Sequence, residues 1–164
     1  AEIRGLAKVS EALARIRDTR SVFVSRGDDS GTHKRELDFW RALAADINDF
    51  DGKWYREAGM GQGATLNIAA EMEAYTLSDR GTWIKFGNKR NLALLVQGDP
   101  QLMNPYSVIL VNPEQHPHVD AAAGQTFIDW LRTSRVQAMI ASYRVNGQQL
   151  FFPDAGRNLQ VGNP

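Results

Sequence analysis

VSRGDDSGTHKREL, Val24–Leu37, sets a short apolar run against an arginine, two acids, a Ser-Gly-Thr triplet and a basic helix start. A strand ending at Val24 delivers Ser25 and Arg26 to the carboxyl edge of a sheet, where open α/β folds place their ligands. A helix opening near Ser30 turns unpaired backbone N–H groups outward beside two hydroxyls, which suits an anion. Arg26 adds a forked, permanently charged donor matched to a tetrahedral oxyanion. A plainer reading of the same residues has Ser30 or Thr32 capping the helix and Arg26 pairing with Asp28 or Asp29.

Outward from this stretch, short strands and helices alternate. Leu6, Val9, Leu13 and Ile16 fall on one helical face, so a helix is expected to end near Asp18. Ser21–Val24 reads as a buried strand, and the following helix should carry Leu37, Trp40, Ala44 and Ile47 inward. Asn48–Gly52 is a turn. Trp54–Ala58 is a strand, followed by GMGQG and a small-residue helix from about Ala64 to Met72. Ala74–Leu77, Leu92–Val96 and Tyr106–Val111 read as further strands, and Asp79 as the N-cap of a short helix. From His116 to Val145 two helices break near Thr133-Ser134, with Phe127, Ile128, Leu131, Met139 and Ile140 as core candidates, and the tail is irregular. This order implies an α/β fold with a largely parallel sheet.

The 164 residues are 43% apolar and 23% charged with zero formal net charge. They suit one domain or two small lobes, neither disordered nor a nucleic-acid binder with a bulk basic charge. Without cysteine there are no disulfides, thiolate metal sites or cysteine nucleophiles. No apolar run reaches membrane-spanning length. The opening AEIRGLAKVSEALARIR reads as a helix inside a fold, not as a signal peptide, so a further upstream region is expected.

Other candidate sites are weaker. Gly59, Gly61 and Gly63 depart from the dinucleotide-loop spacing and lack its acid, so a tight strand-to-helix turn is the simpler reading. Gly61, Gly63 and Thr65, with Asp79 and Arg80 at the next strand end, stand as secondary cleft residues. His33, His116 and His118 lack further metal ligands, and Ser30 with His33 lacks a third orienting group. The expectation is no metal, no cofactor and no enzymatic activity.

Several stretches together resemble one family, the tungstate-binding periplasmic proteins of ABC transporters. They are FVSRGDDSGTHKREL, YREAGMGQGATLNIAAEMEAYTLSDRGTW, LLVQGDPQLMNPYSVILVNPEQHP, FIDWL and VNGQQLFFPDA. The resemblance implies a type II periplasmic-binding-protein-like α/β fold, a mostly parallel sheet with flanking helices. Residues 1–104 would be a second lobe with the oxyanion-binding loop, and 105–164 a crossover strand with the returning C-terminal part of the first lobe. It implies tungstate or molybdate in an inter-lobe cleft, with Ser25, Arg26 and Thr32 matching contact positions and Ser30 and Gly31 beside them. Implied partners are an ABC permease and its ATPase, with neither nucleic acid nor a membrane span. The location implied is the periplasm, with the export signal upstream.

The family's Thr/Ser-rich motif at the start of its first lobe has no counterpart in this chain. Nanomolar binding needs about −12 kcal/mol. A few charge-assisted hydrogen bonds at roughly 1.5–3 kcal/mol each fall short of that. Weak binding by the chain alone is therefore expected, with a separate chain or self-association completing it. Two alternatives are a phosphate-type binding protein, for which Asp28 or Asp29 would accept the proton phosphate keeps, and the effector-sensing domain of a transcription regulator.

Overall fold

The structure, a computed structural model, describes residues 1–45, 50 and 52–155. The expected inward position of Ile47 and most of the turn at Asn48–Gly52 lie outside these residues. The chain divides into two compact units, Ala1–Asn104 and Pro105–Pro164.

In the first unit the element order is α1 (Val9–Asp18), β1 (Phe23–Ser25), α2 (Gly31–Ala42), β2 (Tyr55–Glu57), α3 (Gln62–Glu71) and α4 (Arg80–Lys85), followed by a 3₁₀ turn, Pro100–Leu102. β1 pairs with β2 in parallel, Phe23 facing Tyr55 and Ser25 facing Glu57. On its other side β1 meets Tyr75 through a parallel bridge. It is thus a central strand, buried throughout, as its apolar run requires.

α1 buries Val9, Ala12, Leu13 and Ile16. Lys8 gives it no side-chain cap; instead Asp99 Oδ2 accepts the Val9 N–H at 2.7 Å from ninety residues away. Around Phe23, Trp40 packs edge-on at 5.3 Å and Tyr55 stacks at 6.0 Å, with Trp54 beside Trp40. α3 covers the other side of the sheet with small residues, so that Ala69 and Ala74 pack with Val24.

Several expected elements differ. α2 turns His33, Glu36, Phe39 and Trp40 inward. Leu37 is only half-buried, and Ala44 lies exposed beyond the helix end at φ 51°. The expected strand Ala74–Leu77 reduces to the single bridge at Tyr75. Leu92–Val96 forms no strand, and Leu94 is exposed. Tyr106–Val111 forms none either: Tyr106 is 77% and Ile109 83% exposed. An extended apolar run becomes a strand only when a neighbour pairs along its backbone, and among the described residues neither segment gains a ladder, Gly5 N–H to Leu95 O being a single bond.

The second unit holds α5 (Ala121–Arg132), α6 (Ser134–Ser142) and a hairpin of β3 (Arg144–Val145) with β4 (Gln148–Gln149). Asp120 and Thr133 cap the two helices. Phe127 and Met139 are exposed and Ile128, Leu131 and Ile140 half-buried, so the expected core there is not formed; Val136 is the buried residue of α6. The hairpin replaces an expected irregular tail. Its Asn146-Gly147 corner has positive φ at both positions, 50° and 76°, as a tight primed turn demands.

Candidate oxyanion site

At the carboxyl end of β1 the chain makes the turn Arg26–Ser30 and enters α2. Gly27 has φ 62°, and a Cβ there would meet Glu57 Cβ at 2.8 Å, so this turn is pressed against the end of β2. Met60 N–H donates to Arg26 O at 3.2 Å and Ala58 N–H to Ser25 O at 2.9 Å. These bonds continue the parallel pairing past the strands and set the loops entering α2 and α3 side by side.

Within the turn, Arg26 Nε donates to Asp28 Oδ2 at 2.8 Å, and Asp28 Oδ1 accepts the Ser30 N–H at 3.2 Å. The Ser30 hydrogen bonds, with Arg26 adding to them, hold the Asp28 carboxyl below its ordinary range. Ser30 Oγ accepts the His33 N–H at 3.3 Å and caps α2. The plainer reading of this stretch, cap and ion pair, is therefore realised. It leaves much of the donor set in place. Among the described residues, the two terminal guanidinium nitrogens of Arg26, the Thr32 hydroxyl and the N–H groups of Gly31 and Thr32 make no hydrogen bond. Holding Arg26 by its Nε fixes where its remaining fork lies.

Ser25 has a different surrounding. It is fully buried, and its hydroxyl donates to Glu36 Oε2 at 2.9 Å. Glu36, 1% exposed, also accepts from Tyr55 OH at 2.9 Å and Trp40 Nε1 at 3.1 Å, both on Oε1. Burial pushes the Glu36 carboxyl up, opposed by these three donors, and burial beside Glu36 pushes the Tyr55 hydroxyl up. Sequence reasoning missed Glu36. The available signal was its spacing from His33 and Trp40, three before and four after, which puts all three on one helical face.

His33 Nδ1 accepts the Asp29 N–H at 3.0 Å, steadying a residue at φ 58°. Its other ring nitrogen is 3.7 Å from Glu57 and forms no hydrogen bond among the described residues. Of the secondary candidates, Gly61 is the N-cap of α3 without a side-chain cap, which leaves the N–H groups of Gln62 and Gly63 unpaired within the helix. Thr65 is buried, its hydroxyl donating back to Met60 and Gly61 carbonyls at 3.3 and 3.2 Å. Gly63 is in the first turn with open space around its Cα. Asp79 caps α4, accepting from Thr82 N–H at 2.7 Å and its hydroxyl at 2.6 Å, with Arg80 following. Gln62 Nε2 donates to Leu77 O at 2.8 Å, linking α3 to the approach to α4. Among the described residues no three His, Asp or Glu side chains gather as metal ligands, and no helix is long and apolar enough to cross a membrane.

The chain spans about half the length of the curated relatives it matches. A Haloferax volcanii protein named as a candidate ABC transporter anion-binding protein is 42% identical, the match covering 99% of this chain and 48% of that protein. The tungstate-binding protein TupA of Peptoclostridium acidaminophilum is 38% identical over 89% of this chain and 51% of its own length. Among solved structures, the tungstate-binding protein TupA of Desulfovibrio alaskensis G20 superposes with a TM-score of 0.84 at 38% identity, covering 93% of this chain and 62% of that one. The family model of the PBP superfamily domain matches residues 6–135, and with this fold behind it the chain belongs to the PBP superfamily.

Proposed function

We propose that this chain is part of the solute-binding component of an ABC transporter that captures a tetrahedral oxyanion, tungstate or molybdate. The observation that carries this is the Arg26–Thr32 turn, where a guanidinium clamped by its Nε stands beside a helix start with unpaired N–H groups and a hydroxyl. The tungstate-binding names of relatives matched along most of the chain point the same way. Residues 1–104 would form the lobe that holds this wall, and 105–164 the crossover and returning part of the other lobe. Binding and hand-over to a permease and ATPase in the periplasm complete the proposed role, with no enzymatic step.

Direct contacts fall to Arg26, Gly31 and Thr32, with Ser30 shaping the turn. Ser25 would act from behind through Glu36, because its hydroxyl is buried and already donating. Tungstate is favoured over phosphate on the same geometry. A protonated phosphate needs an acceptor, whereas the groups this turn leaves without a hydrogen bond among the described residues, the Arg26 fork, the Gly31 and Thr32 N–H groups and the Thr32 hydroxyl, are donors that suit a fully deprotonated anion. The test is titration of tungstate, sulfate and phosphate into the chain, followed by amide shifts of Arg26–Thr32. Tungstate should bind weakly and move these resonances, and Arg26→Ala should abolish the effect. Undiminished binding in Arg26→Ala, or preference for phosphate, would overturn the reading.

A further inference from the structure

Glu36 is a buried carboxylate among the aromatic rings of the core, and among the described residues its hydrogen-bond donors are Ser25, Trp40 and Tyr55, with no Arg or Lys. Burying a charge in such surroundings is costly, and an apolar side chain of the same size would suit the core better. Its three donors come from three elements: Ser25 at the end of β1, Tyr55 at the start of β2, and Trp40 one turn further along α2. Ser25 is bonded in sequence to Arg26, and Glu36 lies little more than one turn beyond Gly31 and Thr32. The carboxylate thus bridges the two ends of the turn from inside.

We infer that Glu36 is the positioning residue of the oxyanion wall: through Ser25 it ties the end of β1 to α2 and so sets the placement of Arg26 relative to the Gly31 and Thr32 N–H groups. This rests on the oxyanion reading above. Glu36 touches no anion itself. In its ionised form it accepts all three hydrogen bonds, and Trp40, whose indole nitrogen can only donate, reports its charge directly. Protonation gives the carboxyl a hydrogen of its own, which faces the Ser25 hydroxyl or Tyr55 and forces one of them to turn.

Glu36→Gln separates position from bulk. The amide oxygen can still accept from Trp40 and Tyr55, while the amide NH₂ faces Ser25 Oγ and reverses the direction of that bond. Trp40 and Tyr55 keep their acceptor in this variant, but the Ser25 O–H loses its own, so the link to Arg26 is altered. Other ionisable groups close by are His33 and Trp40's neighbour Asp38 on α2, Asp28 and Asp29 in the turn, Arg26, and Tyr55 and Glu57 on β2. His33→Gln serves as the control for the imidazole on the same face of α2.

The experiment uses the intact ¹⁵N-labelled chain. Without ligand, between pH 4 and 8, the Trp40 indole N–H and the amides of Arg26–Thr32 should share one titration step. That step should persist in His33→Gln and vanish in Glu36→Gln. At pH 7.5, sodium tungstate should bind Glu36→Gln on the order of tenfold more weakly than wild type, the loss expected from one charge-assisted hydrogen bond. A Trp40 step that the turn amides do not follow, or equal tungstate affinity in wild type and Glu36→Gln, overturns the inference while leaving the oxyanion reading standing. Wild-type chain that shows no tungstate response at all overturns both.

Discussion

Gly27→Ala measures how tightly the Arg26 turn is pressed against the sheet. Gly27 has φ 62°, which an L side chain occupies at about 1–2 kcal/mol. Its added Cβ would also stand 2.8 Å from Glu57 Cβ and 3.3 Å from the Gly59 backbone nitrogen. Glu57 Cβ cannot swing aside, because it is fixed to a strand residue paired with Ser25. Relief therefore requires backbone movement, which adds roughly 1–3 kcal/mol. Gly59 supplies the matched control: its φ is 61°, but a Cβ there meets nothing within 4 Å. Gly59→Ala should thus lose only the conformational part, about 1–2 kcal/mol, and Gly27→Ala about 2–5 kcal/mol. Urea unfolding followed by tryptophan fluorescence reads the difference, since Trp40 and Trp54 are buried in the same unit. The shift in midpoint should be clearly larger for Gly27→Ala. Equal midpoints for the two variants would refute the close approach and with it the account of how Arg26 is placed.

Trp40→Phe keeps a ring in the core and removes one donor from a buried carboxylate, so thermal unfolding should show a loss of about 1.5–3 kcal/mol; an unchanged melting temperature would contradict the Glu36 network. Asp99→Ala removes the α1 cap and should lower stability by about 1 kcal/mol at pH 7, measured by urea titration. Hydrogen bonds from the Gln101 and Val9 N–H groups hold the Asp99 carboxyl below its ordinary range. Its stabilising contribution is present above the unfolded-state value and is lost as pH falls through the lower folded one. The gap between wild type and Asp99→Ala should therefore close in acid, and a gap that widened there would refute the capping account.

The strand–turn–helix unit around Arg26 was legible because each part has local chemistry. An apolar run ends, a small-residue turn follows, and a serine caps the helix. Asp79 was legible as a cap for the same reason. What was not legible depends on partners distant in sequence. Leu92–Val96 and Tyr106–Val111 have strand composition, but composition does not supply a neighbouring strand. The inward turn of Glu36 was hidden because its donors, Ser25 and Tyr55, lie eleven residues before it and nineteen after. Asn146-Gly147 is a strong hairpin signal and was locally available; the polar β4, Gln148–Gln149, masked it by lacking the usual alternation.

Asp99 capping α1 has a consequence for the order in which the chain can become ordered. A ten-residue helix is marginal by itself in water, and this one has no cap from its own neighbours. Gly5 N–H donates to Leu95 O and Arg35 to Gln101 O, so the same late segment also fastens the start of the chain and α2. During synthesis α1 precedes its cap by ninety residues, so that contact becomes available only after the residues of the sheet and α3 have been made. A protease cut between Leu95 and Asp99 would sever the α1 cap from the polypeptide that carries α1 while leaving β1 and β2 on one piece.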